Sequence, residues 1–86
     1  MNQRITEYQV LIVEATTDPE TNETCGGDHY NMATLRSKRK AMELARKLTT
    51  KLKNCYEIHV YEETNADVCG HWIFKQGTMT HNQFNN

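Results

Sequence analysis

The chain has 86 residues, 37% of them hydrophobic and 24% charged, with a formal net charge of −1. One small folding unit of this length buries only about 60% of the surface its unfolded form exposes, and a mean hydropathy of −0.80 is polar without the high net charge that forces disorder. The longest apolar run is four residues, Val10 to Val13, too short for a membrane helix, and residues 1–7 have no apolar stretch of the kind a secretory signal needs.

Residues 6–15 are β-branched and aromatic with no breaker, which predicts a strand. Its two parities are both apolar, Tyr8, Val10 and Ile12 against Leu11, Val13 and Ala15, as in a strand with neighbours on both sides or with both faces covered. Asp18-Pro19 and Gly26-Gly27-Asp28 are turn signals, so residues 16–28 read as a long acidic loop. Residues 29–35 allow a short second strand, with Tyr30, Met32 and Thr34 on one face.

Residues 38–53 predict a helix. Ala41, Leu44, Ala45, Leu48 and Leu52 fall on one apolar stripe. Ser37 is placed to cap its start and Asn54 to stop it, and Lys51 and Lys53 suit the negative end of its dipole. Residues 55–63 alternate, with Tyr56, Ile58 and Val60 on one face and Cys55, Glu57, His59 and Tyr61 on the other. A turn over 64–67 returns the chain into a strand over 68–75. The expected architecture is α+β: a three- to four-stranded, mostly antiparallel sheet with one amphipathic basic helix on one face, in the order ββαββ. Residues 1–76 form the single domain of this reading, and 77–86 a disordered polar tail.

Charge is distributed unevenly. Residues 36–53 hold Arg36, Lys38, Arg39, Lys40, Arg46, Lys47, Lys51 and Lys53 against Glu43 alone, a local charge of +7, which leaves −8 for the rest of the chain. At 100° per residue, Arg39, Arg46 and Lys53 lie opposite the apolar stripe, and Lys40, Lys47 and Lys51 form a second row beside them. Glu43 lies between the rows, within reach of Arg39 or Lys47. An ordinary solvated helix mixes signs, so this face is the expected contact for a phosphate backbone or an acidic protein surface. No aromatic residue interleaves with the basic ones along the helix, which favours phosphate contact over base stacking.

Each cysteine has a histidine close behind it: Cys25 and His29, Cys55 and His59, Cys69 and His71. If Ile58, Val60, Trp72 and Phe74 share the helix-facing side, Cys69 falls opposite Tyr61 and His71 opposite His59, a register that needs an odd loop or a bulge, for which Gly70 is the candidate. The opposite parity buries Cys69, His71 and Ile73 and exposes Trp72 and Phe74, so the first, which hides the two large aromatics, is the expected one. The open face then carries His59, Tyr61, Cys69, His71 and Ile73. His59, Tyr61, His71 and Ile73 form a second candidate interface, through which a homodimer is the expected contact. His59, Cys69 and His71 are the candidate metal ligands, but their spacing matches no zinc template. No metal or other cofactor is therefore expected. An odd cysteine count points to free thiols in a reducing, cytoplasmic setting. Cys25 and His29 in one loop do not make a nucleophile pair, the single serine is committed to a cap, and Gly26-Gly27 lacks the residues of a phosphate loop, so no catalytic residue is assigned.

A sheet with one basic helix, opposed charged poles and few catalytic groups resembles, over residues 6–75, the small inhibitors of host defence encoded by phages and mobile elements, anti-CRISPR proteins among them. The likeness is architectural, with no shared motif, and carries over no family residue. It implies a stoichiometric inhibitor that docks on a nucleoprotein complex. Two further expectations stand beside it: a small DNA- or RNA-binding regulator, and a structural zinc module.

Overall fold

The β-branched run after Ile5 forms β1 (Thr6–Thr17), and β2 (Thr24–Leu35) folds back along it. The structure, a computed structural model, describes residues 5–52 and 55–82, the last two by backbone alone. Helix α1 (Lys38–Lys51) then carries the chain over the sheet to β3 (Cys55–Thr64), which pairs with the other side of β1. β4 (Asp67–Lys75) and β5 (Thr78–Asn82) complete an antiparallel sheet in the order β2-β1-β3-β4-β5. β1 therefore has neighbours on both sides, one of the two arrangements its apolar parities allow.

The helix starts where expected: Ser37 Oγ accepts the Lys40 N–H at 3.3 Å. It ends at Lys51, with Leu52 as its C-cap. Asn54, read as the stop, and Lys53 lie outside the described residues. Ala41, Ala45 and Leu48 bury the apolar stripe against Tyr8, Val10, Ile12, Ile58, Val60, Trp72 and Phe74. Trp72 and Phe74 are 4% and 0% exposed, so β4 presents its large aromatics to the helix. Truncating a buried aromatic of this kind costs about 3–5 kcal/mol. Among the described residues no helix is long and apolar enough to cross a membrane.

Among the described residues the sheet has five strands rather than three or four. The fifth, Thr78–Asn82, falls in the segment read as a disordered tail. Gln76 and Gly77, at φ 51° and 79°, make the left-handed two-residue turn that sends it back along β4. The acidic loop is also shorter than expected. Asp18 N–H donates to Glu23 O and Asn22 N–H to Asp18 O, closing a turn over 18–23. Gly26 and Gly27 lie within β2 instead of a turn. A Cβ on Gly26 would sit 3.1 Å from Val13 Cγ1 and 3.3 Å from the Tyr56 ring, so the glycine answers to close packing.

Two bulges reassign side chains. At Val13/Glu14 the register of β1 and β3 slips, which turns Cys55 toward the core and Tyr56 to the open face, beneath Lys75 Nζ at 4.1 Å. At Glu62/Glu63 the β3–β4 register slips at Cys69, beside the expected Gly70. Gly70 has no room for a side chain, because the Trp72 ring lies 2.6 Å from where its Cβ would be. The pairs are Tyr61 with His71 and His59 with Ile73, two residues away from the expected register.

Candidate functional site

The helix presents its cations outward. Lys38, Arg39, Lys40, Arg46, Lys47 and Lys51 are all exposed, as is Arg36 at the end of β2. Among the described residues one ion pair falls within 4 Å, and it joins Glu57 to His59. The expected Glu43 pair with Arg39 or Lys47 is thus not formed, although the spacing permits it. Two of the cations are tied to the fold: Lys38 Nζ lies 4.9 Å from the centre of the Trp72 ring and Arg46 Cζ 5.7 Å from that of Phe74. These contacts place one flank of the helix over β4. Thr49 confirms that flank, since its Oγ1 accepts the Gly77 N–H at 2.7 Å from the β4–β5 turn. Lys40, Lys47 and Lys51 fall on the opposite flank, where Lys40, Glu43, Leu44 and Lys47 line a depression.

The open face brings three of the four second-interface residues into one cluster. His59 Nε2 meets Glu57 Oε1 at 2.8 Å, and His59 Nδ1 meets His71 Nε2 at 2.8 Å. The Tyr61 and His71 rings stack at 4.2 Å, nine degrees from parallel. The Glu57 carboxylate accepts from His59 Nε2, and one of the two facing ring nitrogens in the His59–His71 contact supplies the proton of that bond. Ile73 lies beside this cluster, opposite His59. Glu57, which orients the histidine, was readable only as a face-mate two residues along the strand. Beside the cluster are two depressions sharing Leu11 and Tyr61: one of about 470 Å³ reaching Gln9, Asn31 and Val68, the other of about 170 Å³ reaching Val13 and His29.

The metal candidates do not converge. The bulge carries Cys69 away from the histidine pair, to 3.4 Å from Thr64 Oγ1 and 3.5 Å from Glu62 Oε1. Among the described residues no group of three or more His, Cys, Asp or Glu side chains is placed to hold a metal ion. All three cysteines are free. Burial, and then the nearby Glu57, push the Cys55 thiol up from its ordinary value, the opposite of what an activated nucleophile needs.

No family model matches the chain, and neither a curated protein nor a solved structure matches it.

Proposed function

We propose that this is a small non-catalytic binding protein whose basic helix docks on a nucleic acid, free or within a nucleoprotein complex. The observation that carries the reading is the row of exposed helix cations with no carboxylate within 4 Å, set on a capped helix whose opposite face is buried. An uncompensated row of this kind favours a polyanion, because each phosphate it neutralises releases condensed counterions. In its finer form the reading is a stoichiometric inhibitor of a nucleoprotein defence complex, supported by size and architecture. The open face around His59, Tyr61, His71 and Ile73 is its second contact surface, and its half-buried apolar side chains favour another protein surface, such as a second copy, over phosphate.

The test reverses Arg39, Lys40 and Lys47 to Glu, sparing Arg46 because it packs on Phe74. Binding of duplex and single-stranded oligonucleotides is measured by anisotropy between about 50 and about 200 mM salt. For the wild type, log K is expected to fall with log salt by about 0.9 per duplex phosphate contacted. The triple variant should lose most of the affinity and about three contacts' worth of slope. Unchanged affinity and slope in that variant would remove the helix as the binding face.

A further inference from the structure

The two flanks of α1 face different surroundings. Lys38, Arg46 and Thr49 lean over β4 and the β4–β5 turn. The opposite flank, with Lys40, Lys47 and Lys51, therefore looks toward β1 and β2. Among the described residues β2 is an edge strand, and no further strand closes the space beyond it. Tyr30 pairs with Ile12, a core residue beneath the helix, which puts Tyr30 on the helix-bearing face. Its side chain is left 46% exposed there, and Met32, at the neighbouring bulge, is 49% exposed. Ala33 and Leu44, packed against the core, lie between the strand and the helix. The open groove between helix flank and edge strand thus has a lysine row about 16 Å long on its helix side, from a rise of about 1.5 Å per residue, where Lys40, Glu43, Leu44 and Lys47 line a depression, and an exposed aromatic ring on its strand side.

We propose that this groove binds single-stranded nucleic acid, with phosphates along Lys40, Lys47 and Lys51 and an unpaired base stacked on Tyr30. The proposal deepens the reading of the basic helix and rests on it. A cationic track beside an aromatic platform is the combination that single strands require, because each base exposes a π-face once it is unpaired. The sequence placed no aromatic among the helix cations, and the sheet supplies one from across the groove. Three acids border the site, Glu43 on the helix, Asp28 on β2 and Glu14 beyond Ile12 on the helix-bearing side of β1, against three lysines and Arg36 at the strand's end. The open face makes a poorer platform: its Tyr61 and His71 rings already stack on each other, and Glu57 and Glu63 on the same face oppose phosphate.

The experiment measures anisotropy of labelled oligothymidylate and oligouridylate, a duplex of equal length and poly-glutamate against wild type, Tyr30→Thr and Tyr30→Phe. Thr keeps the β propensity of the site and removes the ring. Both single strands should bind more tightly than the duplex. Tyr30→Thr should weaken them roughly five- to hundredfold with the salt slope unchanged, and Tyr30→Phe should retain wild-type affinity. Equal single-strand affinity for Tyr30→Thr and wild type overturns the groove, and if charge reversal still abolishes binding the helix reading survives it. Tighter binding of the duplex or of poly-glutamate also overturns the groove. Failure of every oligonucleotide to bind overturns the groove together with the free-nucleic-acid form of the helix reading.

Discussion

Tyr8 lies 7% exposed at the rim of the core, and its hydroxyl donates to Glu62 Oε2 at 2.6 Å. Burial, then the Glu62 hydrogen bond and charge, and last the Cys69 thiol push its ionisation up from 10.0 to about 12. The unfolded chain releases this proton near 10 and the folded one only near 12, so between those values the folded state holds more protons. Its contribution to stability is complete below pH 10 and is lost as pH rises toward 12. Tyr8→Phe should therefore show a flatter decline of unfolding free energy over that interval than the wild type. At neutral pH the same variant should lose about 1 kcal/mol with the hydrogen bond. Denaturant melts at pH 7, 10 and 11.5 (chosen to bracket the transition) measure both effects, and parallel pH profiles for the two proteins would mean that Tyr8 ionises freely in the fold.

At the level of the strand and turn, the β3–β4 hairpin has an avoidable cost. Asn65 and Ala66 both sit in the left-handed region, at φ 52° and 72°. Asn tolerates this, but a Cβ there costs about 1–2 kcal/mol, while a glycine returns about 0.5–1 kcal/mol of that through its freer unfolded chain. The balance favours glycine, so Ala66→Gly should stabilise by about 0.5–1 kcal/mol and raise the melting temperature by a few degrees. An unchanged or lower melting temperature would show that the turn carries no such strain. The same hairpin marks how far the sequence could be read. Apolar period located β1, α1, β3 and β4, and the need to hide Trp72 and Phe74 chose the parity of β4 correctly. Gly70 marked the β3–β4 bulge to within one residue, too coarsely to place the face of Cys69, and the Val13/Glu14 bulge has no compositional mark, so the changed faces of Cys55 and Tyr56 were not legible. Gln76-Gly77 is a weak turn signal inside a polar stretch, and β5 is held mainly by pairing with β4, a tertiary cause that local composition does not record. Within the candidate site the cations were legible one by one. The exposure of Tyr30 across from them was not, because it depends on which edge the helix leaves uncovered.

On the scale of the whole molecule, the net charge of −1 conceals a separation that the fold maintains. Apart from Glu43 on the helix and Glu14, Asp28 and Glu62 on the strands beneath and beside it, the acids occupy three places away from the outer helix face. Asp18, Glu20 and Glu23 lie at the β1–β2 turn and Asp67 at the β3–β4 turn, which are at opposite ends of the sheet, while Glu57 and Glu63 lie on the open face. Screening at about 0.1 M salt acts over about 10 Å, similar to the thickness of one packed layer, so a polyanion at the helix responds to the local cations and little to the distant carboxylates. The protein should accordingly be retained on a heparin matrix at pH 7.5, above its sequence pI of about 6.4, where net charge alone predicts exclusion. It should elute as salt shortens the screening length toward about 3 Å near 1 M, and the Arg39, Lys40, Lys47 reversal should pass straight through. Elution of the wild type in the void volume at low salt would show that the acidic ends and open face cancel the helix at contact range, and the docking role assigned to α1 would lose its electrostatic basis.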